Sequence, residues 1–410
     1  MAKASAKAGS KANKGNSSGN GNSNRSGSKF LQVFRGWKTW FLLSVLILLG
    51  LGTAFSYIPE ENVPGFLDPV HVFCLRTRNN LILKTGLDLH RYDDAVIVRT
   101  TGSPDIAVYF APGKKITEGL CQFIDGAKKT LDVCIYDLDL PEVAEALVNA
   151  KNRGISVRVV VDSDNRKLKA IDRLEKAGIW IVADQRSTIM HNKFVIQDGL
   201  RVWTGSFNFT ENGRQKNDNN ALIIDSREIA VLYREKFREY MSGKFSVAAE
   251  GKTSNYGKAS LGKMPVQVAF SPSDGIADII CAQLSDAKEC VYVMAFVLTS
   301  EKIAQKLGEL AKNGVKVYCV LDRGQARTRY SQSQFLLGCG VKMDIAPNSK
   351  GKMHHKVITI DEDTVITGSY NFSDNAEKGN DENIIVIRNV ELAKLYNKEF
   401  KRCLTGTKGY

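Results

Sequence analysis

The sequence predicts a duplicated α/β fold: two mixed-sheet units in one chain, preceded by a single transmembrane helix. Three observations predict it: a long internal repeat, an alternation of strand-like and helix-like runs in each copy, and one charge-free apolar segment. Residues 106–162 align without a gap on residues 266–322 at an offset of 160. Phe110 matches Phe270, Cys121 matches Cys281, Gly154 matches Gly314 and Asp162 matches Asp322. A repeat of this length is a duplicated domain rather than a short solenoid unit.

Within each copy the pattern alternates. TLDVCIYDL and CVYVMAFVL are apolar, β-branched runs that read as buried strands. PEVAEALVNAKNRG and EKIAQKLGELAKNG space their apolar residues helically and stop at Gly154 and Gly314. VRVVVD and VKVYCVLD are strands again. The apolar segment is TWFLLSVLILLGLGTAFSYI, residues 39–58. At about 1.5 Å per residue it reaches across a hydrocarbon core of about 30 Å. Trp37, Trp40 and Tyr57 flank it as interfacial aromatics do. The competing reading is a cleaved signal peptide, with small residues at Gly52-Thr53-Ala54.

These readings divide the chain. Residues 1–38 are a disordered basic tail, 39–58 a transmembrane signal-anchor and 59–104 a lead-in. Residues 105–242 and 265–410 are the two repeated domains, joined by a Gly-, Ser- and Lys-rich connection at 243–264. By the positive-inside tendency the tail is expected in the cytoplasm and everything beyond residue 58 on the extracytoplasmic or lumenal side.

Charge and cysteines exclude less than they suggest. The formal charge is +13, but eight Lys or Arg and no acid fall within residues 1–38, leaving +5 for the rest. That excess suits a phosphate-bearing substrate, but a mild excess of this kind is more often an ordinary solvated surface. Eight cysteines form no CxxC pair, and five histidines build no zinc-type cluster.

The chemistry-bearing pattern occurs twice. HNKFVIQDGLRVWTGSFN places His191, Lys193, Asp198, Gly205, Ser206 and Asn208 at intervals repeated by His354, Lys356, Asp361, Gly368, Ser369 and Asn371 in HHKVITIDEDTVITGSYN. Residues two apart on a strand share a face, so each His lies beside its Lys, and a hairpin returns Gly-Ser-x-Asn to the same end. Two lysines and two asparagines facing each other suit the non-bridging oxygens of a phosphodiester and its pentacoordinate transition state. One histidine then attacks phosphorus while the other protonates the leaving oxygen. Asp198 and Asp361 sit too far along the strand to take part and are read as fold-stabilising, with Gly205 and Gly368. Ser206, Ser369 and Asn219 are expected to contact substrate. His71 and His90 have no such company, and His355 occupies the free position of its motif.

On these motifs the chain resembles a two-motif member of the phospholipase D superfamily over residues 105–403. The resemblance implies an α-β-α sandwich per half, a pseudo-two-fold axis, one active site between the halves and a covalent phosphohistidine. It implies no cofactor, no metal and no obligate homodimer, since one chain carries both halves. The flanks GSFNFTENG, GSYNFSDNA and SPSDGIADII, with Asn380-x-Glu382-Asn383, are similar to the bacterial endonuclease branch. Nucleic acid is therefore the expected partner. The alternative is a phospholipase D or phosphatidyl transferase acting on phospholipid, which the anchor at 39–58 would hold near headgroups. A third class is a binding module that kept the fold without its chemistry, against which the retention of both His-Lys pairs speaks.

The copies differ at one informative place. Glu382 lies 28 residues after His354, whereas the position 28 after His191 is Asn219. In this superfamily such an acid resembles the one that hydrogen-bonds a catalytic imidazole. Pairing Glu382 with His354 makes His354 the expected general acid/base and His191 the nucleophile.

Overall fold

The β-branched runs of the two copies build two eight-stranded sheets with the same strand order. A computed structural model of the chain describes residues 96–100, 103–246, 257–348 and 351–405. The basic tail and the segment expected to cross the membrane lie outside the described residues. Among the described residues no helix is long and apolar enough to cross a membrane.

The first sheet holds β1 (Val96–Thr100), β2 (Ser103–Ala111), β3 (Thr130–Ile135), β4 (Ser156–Val161), β5 (Trp180–Ala183), β6 (Lys193–Gln197), β7 (Arg201–Gly205) and β8 (Asn219–Asp225), ordered β1-β2-β8-β7-β6-β3-β4-β5. The second holds β9 (Lys258–Leu261), β10 (Met264–Ser271), β11 (Cys290–Ala295), β12 (Lys316–Leu321), β13 (Lys342–Ile345), β14 (Lys356–Ile360), β15 (Thr364–Gly368) and β16 (Glu382–Arg388), ordered β13-β12-β11-β14-β15-β16-β10-β9. In each, three strands run parallel at one side and the rest antiparallel. Two boundaries differ from expectation. β1 lies inside the stretch read as a lead-in, and β9 inside the stretch read as a connection. Both are short edge strands of four or five residues, too short for their alternation to stand out from a loop.

Helices cover both faces of each sheet. In the first half α1 (Lys115–Asp125), α2 (Pro141–Asn152) and α3 (Lys169–Lys176) bury Leu120, Leu147 and Leu174 against one face, beside Val133, Val159 and Trp203. Helices α4 (Glu211–Gln215) and α5 (Arg227–Met241) follow. In the second half α6 (Ile276–Ser285), α7 (Glu301–Lys312) and α8 (Ser333–Gly338) bury Ile280, Leu307 and Leu336 in the same way. The last helices are α9 (Asp374–Lys378) and α10 (Val390–Thr405). Between the sheets a third core joins the halves: Tyr233 and Phe237 of α5 and Tyr396 and Phe400 of α10 pack with Phe194, Phe270 and Val357. Each sheet is therefore apolar on both faces, which explains its near-continuous hydrophobic strands.

The motif aspartates close the hairpins at the far end from the histidines. Asp361 sits in the left-handed region (φ 47°) and Asp198 likewise (φ 55°), a conformation Asp tolerates better than bulky residues. Asp361 accepts from the backbone N–H of Lys288, Glu289 and Cys290 at 2.8 to 3.0 Å. Asp198 accepts from those of Lys128, Lys129 and Thr130. Each thus anchors the start of the adjacent central strand. Burial acts to raise the Asp361 pKa, but the three N–H donors prevail and hold it below the usual carboxylate range. Its contribution is therefore present above the unfolded value of about 3.9 and lost as pH falls through the lower folded value. Asp361→Ala is expected to cost about 2–3 kcal/mol at neutral pH, read by urea denaturation, with the difference shrinking in strong acid. An unchanged midpoint would remove Asp361 from the fold-holding set.

Candidate active site

Both histidines sit just before a buried strand, β6 or β14, and a short cross-half bridge fixes each. Met190 pairs in parallel with Asp381, and His191 N donates to Asp381 O at 3.0 Å. Reciprocally Asp218 pairs with Met353, and His354 N donates to Asp218 O at 2.9 Å. The residue following each bridge then stands beside the other half's imidazole. His191 Nδ1 lies 2.8 Å from Glu382 Oε2, and His354 Nδ1 lies 2.8 Å from Asn219 Oδ1.

This overturns the pairing expected from sequence. Glu382 partners His191 of the other half, not His354 of its own, because the bridges exchange the two segments. Asn219 is likewise not free for substrate. It is fully buried, accepting from His354 and from Ser206 Oγ and donating to Gly213 O. Ser206 and Ser369, also expected at the substrate, are fully buried, with hydroxyls that accept from the backbone N–H of Asn220 and Asn383. They hold the start of β8 and β16, and so the partners of the two imidazoles. The glycines ahead of them have a packing reason. At Gly205 (φ 153°) and Gly368 (φ 151°) a Cβ would stand 2.3 and 2.2 Å from the carbonyl oxygens of Asn220 and Asn383.

Lys193 and Lys356 are buried, each donating from Nζ to the carbonyl of its own histidine, His191 and His354. An aromatic ring flanks each pair. Tyr136 lies 5.0 Å from the His191 ring and 5.1 Å from Lys193 Nζ; Phe296 lies 4.9 Å from the His354 ring and 5.0 Å from Lys356 Nζ. Asn208 and Asn371 each keep a buried Oδ1 without a partner, at equivalent places in both halves, and a half-turn of either carboxamide puts its donating N–H2 there instead. Unpaired ends recurring by symmetry are what a ligand-binding position leaves open.

Sequence reasoning passed over several supports. Asp162 Oδ2 and Asp322 Oδ2 accept from the N–H of Met190 and Met353, fixing the residue before each histidine. Arg186 pairs with Asp381 and Arg402 with Asp218, clamping the bridges across the halves. The match of Asp162 to Asp322 in the repeat was a visible signal; the aromatic pair differs in type (Tyr136, Phe296) and gave none.

Burial depresses the basic groups of the site. Burial pushes His191 down to about 4 although Glu382 pulls the other way. Burial, then Lys356 and Lys193, push His354 well below its usual value. Burial brings Lys193 down to about 7 against the pull of Glu382, and Lys356 well below the ordinary lysine range. Two lysines and two imidazoles within mutual electrostatic reach favour a bound anion that restores their charged forms.

One other trio brings potential metal ligands within 4.8 Å among the described residues: His355, Glu399 and Cys403. His355 turns away from the site and is fully buried against Glu399 (2.8 Å). Arg402 donates to both Glu399 oxygens and lies 3.5 Å from Cys403 Sγ, while burial pushes that thiol well up. A guanidinium already fills the cation's place, so this trio does not fit a metal.

A family model described as cardiolipin synthase, phospholipase D-like domain, matches residues 120–241 and 280–404. The chain belongs to the phospholipase D-like family. It is a phosphodiester hydrolase of that superfamily. A phospholipase D of Rickettsia conorii is 33% identical over 160 residues, covering 39% of this chain and 80% of that protein. A mitochondrial cardiolipin hydrolase of Xenopus tropicalis is 37% identical over 113 residues, 27% of this chain and 54% of that protein. The crystal structure of a phosphatidylserine synthase from Haemophilus influenzae superposes with a TM-score of 0.60 at 13% identity, over 77% of this chain and 88% of that one. That likeness shows the duplicated family fold alone.

Proposed function

We propose that this chain hydrolyses phosphodiester bonds of nucleic acid through a phosphohistidine on His191, with His354 as general acid and then general base. The crossed pairing carries the assignment. Attack on phosphorus turns the nucleophile's neutral ring into a cationic phosphoimidazolium, whereas proton donation turns the acid's cation neutral. A fixed carboxylate favours the first change and opposes the second. Glu382 stands at His191, and the neutral Asn219 at His354. The roles match those expected from sequence, for the opposite structural reason.

Both Nδ1 atoms are engaged, so Nε2 is the reacting nitrogen of each ring. The Nε2 lone pair of His191 forms the N–P bond as the bond from phosphorus to the leaving oxygen breaks, and His354 gives its proton to that oxygen. Water then loses a proton to His354 and attacks phosphorus, and the N–P electrons return to His191. Lys193, Lys356, Asn208 and Asn371 hold the non-bridging oxygens, and the phosphate charge offsets the buried lysines.

The continuations GSFNFTENG and GSYNFSDNA support nucleic acid as substrate. A lipid substrate is the second reading, supported by relatives named phospholipase D and mitochondrial cardiolipin hydrolase and by the apolar segment 39–58. On either reading that segment anchors the site at a membrane, on its extracytoplasmic or lumenal side. The test is hydrolysis by the full chain in detergent, with EDTA, of single-stranded DNA, RNA, duplex DNA and phosphatidylglycerol or cardiolipin vesicles. Cleavage of nucleic acid is expected. Cleavage of lipid alone would transfer the substrate assignment, and inactivity in EDTA would overturn the metal-free mechanism.

A further inference from the structure

The two mouths of the site are not alike. The loops that follow β4 and β12 start from Asp162 and Asp322, the residues bonded to the N–H ahead of each histidine. The offset between the copies is 160 at these aspartates and 162 at Gly178 and Gly340, so the second loop carries two inserted residues. It reads RGQARTRYSQ over 323–332, with Arg323, Arg327 and Arg329 and no acid. All three arginines are exposed, and none has a carboxylate partner among the described residues. Tyr330 is 62% exposed, with the Arg329 guanidinium 4.5 Å from its ring centre.

Both ends of this loop are tied beside His354. Asp322 holds Met353, and Gln332 N donates to Leu298 O, two residues beyond the Phe296 ring against His354. Exposed Lys352, whose Nζ lies 5.4 Å from that ring, adds a fourth cation. The first half carries acids at its mouth that the second lacks. Its shorter stretch, SDNRKLKA over 163–170, carries Asp164 among Arg166, Lys167 and Lys169, and its Arg166 is taken up by Glu175. After β3 it carries Asp137 and Asp139, where the second half has Val297 and Thr299.

In-line displacement sends the leaving oxygen away from His191, toward His354 and this basic mouth. We infer that the strand released in the first step extends over residues 323–332, its next phosphates on Arg323, Arg327, Arg329 and Lys352 and a base against Tyr330. Charge complementarity commits the surface to a polyanionic leaving group, and an exposed ring beside a guanidinium that bonds the Tyr330 hydroxyl and has no carboxylate partner among the described residues suits a single-stranded base. This rests on the proposed nuclease reading and adds to it the direction in which substrate lies.

The experiment compares kcat/KM for a single-stranded oligonucleotide with that for bis(p-nitrophenyl) phosphate, whose leaving group carries no further phosphate. In Arg323→Gln/Arg327→Gln/Arg329→Gln the ratio is expected to fall at least about tenfold, with a shallower salt dependence for the oligonucleotide. The control Lys288→Gln/Lys312→Gln/Lys316→Gln removes equal charge from the opposite end of the sheet and should leave the ratio within about twofold. An unchanged ratio in the arginine variant, or an equal fall in the control, overturns the inference. So does a loss seen on cardiolipin vesicles but not on the oligonucleotide, which makes the loop a lipid-facing surface. Wild-type protein inert toward bis(p-nitrophenyl) phosphate would instead overturn the phosphodiesterase mechanism.

Discussion

His354→Ala is expected to release one equivalent of p-nitrophenolate from bis(p-nitrophenyl) phosphate in a burst and then stall. The activated leaving group departs without an acid, so His191 is phosphorylated at close to the normal rate. Hydrolysis of that intermediate needs a base for water, and the base is gone. The stalled protein should carry an acid-labile phosphoryl group on His191, located by mass spectrometry under alkaline conditions. His191→Ala should give no burst and lower kcat by roughly 10⁴-fold or more, because the nucleophile and not an assisting group is removed. A burst in His191→Ala with phosphate on His354 would exchange the two roles.

Glu382→Gln should lower kcat on the order of 10²- to 10⁴-fold, since the cationic ring formed on attack loses the carboxylate at its Nδ1. The substitution keeps size and hydrogen bonding, so folding is a minor concern. A pH signature separates this from simple misplacement. Glu382 supports the charged form of Lys193, which stands at about 7. Without it Lys193 discharges at lower pH, so inhibition by tungstate, which keeps its charge over this range, should weaken at lower pH than in the wild type. A kcat loss with an unmoved inhibition profile would make Glu382 a spacer rather than a charge. Asn219→Asp is the counterpart: a carboxylate at His354 should slow proton donation and leave the burst intact.

The hairpins and the His-Lys faces were legible because they are local. KFVIQ and KVITI are single strands, and the turn between each strand and its Gly-Ser-x-Asn spans few residues. The strand-helix alternation was legible in each copy, whereas the order of the strands in each sheet was not. The crossing was not legible. It depends on bridges between Met190 and Asp381 and between Asp218 and Met353, contacts 191 and 135 residues apart in sequence. Counting 28 residues from each histidine assumes that a motif is completed by its own half. Ser206, Ser369 and Asn219 misled for a related reason. Polar groups beside a catalytic motif read as substrate contacts, whereas here they position the groups that do the work. Arg186 and Arg402 lie outside the repeat's best-matched stretch and belong to no motif.

The exchange of Glu382 and Asn219 bears on why a single chain carries both halves. In an assembly of two identical subunits with this geometry, one Glu-to-Asn substitution would strip both imidazoles of their carboxylate together. Fusion breaks that tie: a change in the first half alters only the second half's histidine, and the reverse. Two inherited copies of one ancestral site could thus drift into an attacker and a proton donor one substitution at a time, with an intact dyad at every step.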